Sequence, residues 1–91
     1  MMIFTIDLTT VHSYYDLHEH LKNVFSFPNW YGRNMDVLWD LLHCSFDDNE
    51  EVVIEVKGID SVREDLRTVV GRLQLVLADL HDKDGINISY L

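Results

Sequence analysis

The sequence contains few basic residues for its length. Its 91 residues include 7 Lys and Arg against 16 Asp and Glu, which gives a formal net charge of -9 at pH 7. Nucleic-acid-binding proteins depend on clustered Lys and Arg side chains that neutralise phosphates. The few cations here are scattered, so the composition argues against direct binding of nucleic acid. An acidic chain instead favours a basic protein partner, whose approach is accelerated by long-range electrostatic attraction.

Cysteine is scarce and long hydrophobic runs are absent. Cys44 is the only cysteine, so the sequence offers no intramolecular disulfide and no cysteine-based zinc cluster. No apolar run approaches the ~20 residues of a membrane-spanning helix. The first basic residue is Lys22, and the N-terminal residues therefore lack the basic segment of a signal peptide. We expect a cytoplasmic protein without membrane association.

Proline and glycine are also rare, whereas hydrophobic residues are plentiful. One Pro and four Gly accompany a hydrophobic content of 47%, which excludes the composition of a disordered segment. We find no repeat or linker and expect a single domain over residues 1–91.

Three short apolar segments alternate with helical patterns. Residues 2–8 indicate a buried strand, residues 52–56 are almost continuously apolar, as is typical of a strand covered on both faces, and residues 86–91 form a final strand. Helices between successive strands act as crossover connections. The sequence therefore predicts a small parallel α/β sheet with packed helices.

Capping residues mark the helices between these strands. Ser13, with Asp16 three positions later, opens a first helix that ends before Pro28. Asn34 is a suitable N-cap for a second helix over residues 34–44.

A third capping-box spacing indicates a long last helix. Ser61 and Glu64 stand three positions apart before a long apolar stripe. A break near residues 66–68 into two helices is the alternative.

The histidines do not form a recognisable catalytic or metal site. His18 and His20 are two positions apart and point to different faces of a helix. Cys44 and His43 are adjacent, and their side chains diverge by about 100° on a helix, so they do not form a nucleophile and its base. We expect Cys44 to be a half-buried thiol at a helix end instead. The known phosphate-loop and nucleophile-elbow motifs are absent. We expect no enzymatic activity, cofactor or metal; the alternative is a metal bound by the Asp and His residues of the second helix.

The second helix has a chemically organised outer face. Helical spacing places Asp36, Trp39, Asp40 and His43 opposite the apolar stripe. Asp36 lies near the positive end of the helix dipole, but Asp40 does not, and like charges at this spacing repel by roughly 0.2–0.5 kcal/mol. A Trp among carboxylates is typical of an interface; the alternative is a Trp that folds back over the edge of the core.

The loop before this helix adds Trp30, Tyr31 and Gly32. Aromatic rings stack on imidazole or guanidinium groups, and carboxylates pair with cations. Together the loop and the helix predict an anionic surface that fits a cationic pocket.

Residues 27–42, FPNWYGRNMDVLWDLL, resemble the signature of the barstar family, the small intracellular inhibitors of bacterial ribonucleases. The resemblance implies a three-stranded parallel sheet with packed helices. It also implies inhibition of a basic extracellular or toxin ribonuclease, whose active site would be covered by the loop and second helix of a monomer in a 1:1 complex.

The resemblance also implies a role for individual residues. Asp40 corresponds to a carboxylate that enters the catalytic pocket where the scissile phosphate would bind. Trp30 corresponds to an aromatic residue that stacks on the catalytic His, and Asp36 to an acid that pairs with Arg. Asp79, with Asp82 as the alternative, corresponds to a late helical acid. The other residues of the implied contact surface are Tyr31, Gly32, Arg33, Asn34, Trp39 and His43.

Two other functions are compatible with the same surface. One is immunity against another basic nuclease toxin. The other is regulation of a transcription or RNA-handling protein bound through the second helix.

Overall fold

The computed structural model describes residues 1–28, 31, 34–46 and 50–91, without the side chain of residue 45. The elements follow in the order β1 (Met2–Asp7), a 3₁₀ turn (Leu8–Thr10), α1 (Tyr14–Phe25), α2 (Met35–Ser45), β2 (Val52–Lys57), two 3₁₀ turns (Ile59–Ser61 and Glu64–Leu66), α3 (Arg67–Asp84) and β3 (Asn87–Tyr90). The predicted strands and the first two helices are confirmed, with small differences at their ends.

The strands form a parallel sheet in the order β1-β2-β3. Ile3 pairs with Val53, and Ile54 pairs with Ile88. Both connections are crossovers that advance in one direction, and because crossovers are right-handed they place α1, α2 and α3 on the same face of the sheet. The predicted α/β fold with a three-stranded parallel sheet is confirmed.

The other face of the sheet, which we call the open face, is not covered by any helix of the described residues. It carries the alternate residues of β1 and β2, from Ile3 and Val53 to Asp7 and Lys57. Ile3 is 54% exposed, and Val53 is partly exposed. The predictions of a buried first strand and of a second strand covered on both faces were therefore wrong. Apolar content in β2 reflects its central position rather than two layers of helices.

The hydrophobic core lies between the helices and the covered face of the sheet. Val52, Ile54 and Val56 contribute one side of this core from β2. The helices contribute fully buried leucines, namely Leu17, Leu21, Leu38, Leu42, Leu73, Leu77 and Leu80. Because two of these leucines belong to α2, the core fixes which face of α2 remains outside.

The N-terminus of α1 is capped as predicted. The hydroxyl of Ser13 accepts a hydrogen bond from the Asp16 N–H at 3.0 Å. The Asp16 carboxylate accepts from the N–H of His12 at 3.3 Å, one residue earlier than a standard capping box requires. The cap therefore holds both the first turn and the chain leading into it.

The start of α3 differs from the prediction based on Ser61 and Glu64. The backbone N–H of Ser61 donates to the carbonyl oxygen of Gly58 at 3.0 Å and closes a 3₁₀ turn, and the Ser61 hydroxyl donates to the same oxygen at 2.7 Å. The backbone is extended at Val62, and α3 begins only at Arg67, without a side-chain cap. The capping-box interpretation was wrong. The alternative is right only in placing a boundary near residues 66–68, because two short 3₁₀ turns rather than a second helix precede α3. None of the helices in the described ranges is long and apolar enough to span a membrane.

Candidate functional site

The orientation of α2 follows from its cap and its buried leucines. The side-chain oxygen of Asn34 accepts a hydrogen bond from the Asp36 N–H at 2.7 Å, which makes Asn34 the N-cap. Leu38 and Leu42 are fully buried. Asp36 and Asp40 consequently lie on the exposed side, where the helical periodicity placed them.

The carboxylates of Asp36 and Asp40 are exposed to solvent on the outer face of α2. Within the described part of the chain, neither carboxylate takes part in an ion pair or accepts a hydrogen bond. Their four-residue spacing brings two like charges together on one helix face. This face can therefore offer two carboxylates to a cationic group from outside the molecule.

Trp39 lies between the exposed face and the core. Its ring packs against the hydrophobic core and is partly buried. The same ring stacks on the His43 imidazole, with centroids 4.7 Å apart and an interplanar angle of 11°. The indole N–H is buried and has no hydrogen-bond acceptor among the described residues. The alternative, in which Trp39 folds over the edge of the core, is thus met in part.

The end of α3 supplies the remaining neighbours of this ring. The Lys83 ammonium lies 5.6 Å from the centroid of the Trp39 ring and 3.4 Å from the Asp79 carboxylate. The Asp84 carboxylate lies 2.7 Å from Nδ1 of His43. We call these five residues, including Trp39 itself, the Trp39 cluster. Asp82, the alternative to Asp79, is exposed and does not belong to this cluster.

Sequence reasoning missed the roles of Lys83 and Asp84. The spacing of Asp79 and Lys83 is visible in the sequence as an i, i+4 pair. The contacts with Trp39 and His43 join two helices that are about 40 positions apart along the chain. No local pattern reports such a contact, because it depends on how α2 and α3 pack.

A shallow groove of about 450 Å³ runs between α2 and α3. Met35, Trp39 and Val76 supply apolar surface in it, and Asp36 and Asp79 are its acidic lining residues. A long basic side chain suits such a groove, because its methylene groups cover apolar surface while its charged end reaches a carboxylate.

Tyr31 has a different place from the one expected. Its side chain is only 4% exposed, and its hydroxyl lies 2.6 Å from Nδ1 of His18 on α1. Burial raises the pKa of the Tyr31 hydroxyl, which therefore stays neutral. Tyr31 therefore belongs to the hydrophobic core rather than to the exposed surface. Loop residues show no periodicity, so the sequence could not separate these two placements.

Three further observations concern Cys44, the clustering of possible metal ligands and the remaining loop residues. Cys44 is exposed, so the expectation of a half-buried thiol was wrong. Among the described residues, no group of three His, Cys, Asp or Glu side chains is placed to hold a metal ion. Trp30, Gly32 and Arg33 lie outside the described residues.

Comparison with known proteins agrees with the fold. A family model described as Barstar (barnase inhibitor) matches residues 1–90. A protein of Bacillus subtilis (strain 168) named "Putative ribonuclease inhibitor YrdF" is 58% identical over 26 residues, which cover 29% of this chain and 29% of that protein. The aligned segment is thus less than a third of either protein, whereas the family model covers nearly the whole chain. The chain belongs to the barstar family.

Proposed function

We propose that the chain inhibits a basic extracellular or toxin ribonuclease by covering its active site with α2 and the loop before it. The observation that carries this proposal is the Asp40 carboxylate, which is exposed in the middle of α2 and unpaired within the described ranges. Membership of the barstar family and the printed name of YrdF give independent support.

Inhibition of this kind works by mimicry of the substrate phosphate. A ribonuclease must bind the anionic RNA backbone with cationic side chains, and a carboxylate on a fixed helix occupies the same place. The Asn34 cap and the buried Leu38 and Leu42 hold α2 before the partner arrives. Little conformational entropy is then lost on binding, which favours high affinity. The inhibitor itself performs no reaction.

The repulsion between Asp36 and Asp40 contributes to this mechanism. In the free protein the two carboxylates at i, i+4 cost roughly 0.2–0.5 kcal/mol of helix stability. Cations of an enzyme pocket would neutralise both charges and remove that cost. The repulsion is therefore present only in the free protein, and its relief adds to the favourable free energy of binding.

The proposed partner is a basic ribonuclease bound as a 1:1 complex by a monomeric inhibitor. We place the inhibitor in the cytoplasm, where it would protect cellular RNA. The surface formed by α2 would contribute Asn34, Asp36, Trp39, Asp40 and His43, and α3 would contribute Asp79. Trp30, Gly32 and Arg33 belong to the same proposed surface, and Tyr31 would support it from below.

The first prediction concerns Asp40. We expect the wild-type protein to inhibit RNA cleavage by small basic ribonucleases, tested on a panel that includes barnase. Asp40→Ala should weaken inhibition at least 30-fold, because truncating one partner of a buried charge pair costs about 2–5 kcal/mol or more. Asp40→Asn preserves the shape and removes the charge, so it separates packing from electrostatics.

Asp60→Ala is the matched control for this prediction. Asp60 is an exposed acid in the 3₁₀ turn after β2, so its removal changes the net charge equally but lies outside the proposed surface. We expect this variant to inhibit within about threefold of wild type, since exposed charges contribute roughly 0–1 kcal/mol. Equal losses from Asp40→Ala and Asp60→Ala, or a wild-type protein that inhibits no member of the panel, would contradict the proposal.

A further inference from the structure

Lys83 places a cation of the chain itself on the candidate surface. Its ammonium lies 3.4 Å from the Asp79 carboxylate, one helical turn earlier, and 5.6 Å from the centroid of the Trp39 ring. An acid that precedes a base by four residues is the favourable order on a helix. A cation within about 6 Å of an indole centroid is attracted to the face of the ring. Lys83 therefore forms an ion pair with Asp79 and a cation–π contact with Trp39 at the same time.

The candidate surface consequently has two unlike parts. Asp36 and Asp40 form no ion pair in the described parts of the chain. Asp79 and Trp39 are already occupied by Lys83. A basic group from outside meets free carboxylates at the first part and an internal competitor at the second.

The contacts of Lys83 are replaceable, whereas the position of Trp39 is fixed. The Lys83 side chain is 61% exposed, so it can turn into water without opening the core. The Trp39 ring packs on the core and on the His43 imidazole, which Asp84 holds from α3 at 2.7 Å. Displacement of Lys83 would leave the ring and the Asp79 carboxylate in place for another cation.

We propose that Lys83 competes with a basic side chain of the partner for Asp79 and Trp39, and thereby limits affinity and sets specificity. A partner that presents Arg or Lys at the groove between α2 and α3 must displace Lys83. A partner without a cation at this position leaves Lys83 where it is. The inference rests on the proposed function, because it assigns one residue of the same surface a role against the partner.

The test compares Lys83→Met with Lys57→Met. Both variants lose one positive charge, so long-range attraction to a basic probe increases equally. Lys57 is the last residue of β2, whereas Lys83 lies near the end of α3, just before β3 begins. In a parallel sheet these two positions are at opposite ends of the strands, so Lys57 is distant from the groove. The probes are hexa-arginine amide, followed by NMR titration, and barnase, followed by its dissociation rate.

We expect Lys83→Met to bind both probes about threefold to tenfold more tightly than Lys57→Met, and to release barnase more slowly. The difference should shrink when Asp79→Asn is added to both variants, because neither Lys83 nor the probe can then pair with a carboxylate at position 79 and only the contact with the Trp39 ring is contested. In the free wild-type protein, the ε-methylene protons of Lys83 should be shifted upfield by the Trp39 ring and should return to ordinary values in Trp39→Leu.

The outcomes separate the two proposals. If Lys83→Met and Lys57→Met bind each probe equally, the competition by Lys83 is disproved while inhibition of a ribonuclease stands. If the wild-type protein binds the peptide but no ribonuclease, the proposed function fails and the peptide comparison still decides the role of Lys83. Failure of both variants to bind the peptide, or unshifted Lys83 protons, would also overturn the inference.

Discussion

At the scale of single residues, the buried contact between Tyr31 and His18 connects the loop before α2 to α1. The hydroxyl of Tyr31 and Nδ1 of His18 lie 2.6 Å apart, and both side chains are buried. The Tyr31 ring also lies against Phe27, with centroids 5.1 Å apart. Burial makes a lost hydrogen bond expensive, because water cannot replace the missing partner. This contact therefore fixes one point of the loop that leads into the candidate surface.

Tyr31→Phe should destabilise the protein by about 1–3 kcal/mol, because the change removes the hydroxyl and leaves the ring nitrogen of His18 without that partner. Urea unfolding would measure the loss. Tyr90→Phe is the control, since Tyr90 is 47% exposed and the same change there should alter the free energy of unfolding by less than about 0.5 kcal/mol. Equal losses in the two variants would show that the buried contact contributes nothing.

The pKa of Tyr31 gives this comparison a dependence on pH. Burial raises the pKa of the hydroxyl in the folded protein above that in the unfolded chain. The corresponding stability is complete below the unfolded value of about 10 and is lost as the pH rises above it. Wild type should therefore lose more stability than Tyr31→Phe in this alkaline range.

Individual site residues differed in how far the sequence could predict their placement. The exposure of Asp36 and Asp40 follows from helical spacing, because the apolar stripe of α2 has to face the core. The burial of Tyr31 and the contact of Lys83 with Trp39 do not follow from it. Both depend on contacts between segments that are distant in the chain, and a single sequence contains no record of those distances.

At the scale of elements, α2 is held by its cap as well as by its packing. Asn34→Ala should cost about 0.5–2 kcal/mol, because the Asp36 N–H loses its side-chain acceptor. Asn34→Ser retains a capping oxygen and should recover most of that stability. Thermal unfolding of both variants checks this expectation. A loss in Asn34→Ser as large as that in Asn34→Ala would assign the effect to something other than the cap.

Capping and periodicity were sufficient for two helices and failed at the third. Ser13 and Asn34 each have one local use, as acceptors for the first turn of a helix. Ser61 has two, because its hydroxyl can also donate to the carbonyl of Gly58, where φ is 76°, and reinforce the turn that begins there. The left-handed conformation of Gly58 turns the chain back and favours the second use. A capping pattern that directly follows such a glycine is therefore ambiguous.

At the scale of the whole molecule, the net charge of -9 governs encounter with a basic partner. The association rate should be high at low ionic strength and fall markedly as the Debye length shortens from ~10 Å at 0.1 M salt to ~3 Å at 1 M. The dissociation rate should change far less, because short-range contacts control it. Stopped-flow mixing with a ribonuclease over this range measures both rates. An association rate that does not vary with salt would exclude electrostatic steering.

The open face of the sheet has a consequence for self-association. At one end of this face, the paired residues Ile3 and Val53 leave apolar surface exposed. The next two pairs along the strands are Thr5 with Glu55 and Asp7 with Lys57. Two sheets stacked face to face lie about 10 Å apart and exclude water between them. Stacking two copies would therefore bury these charges at a cost of several kcal/mol for each ion. The charged pairs thus limit the exposed apolar area to one end of the sheet and disfavour aggregation of the protein through this face.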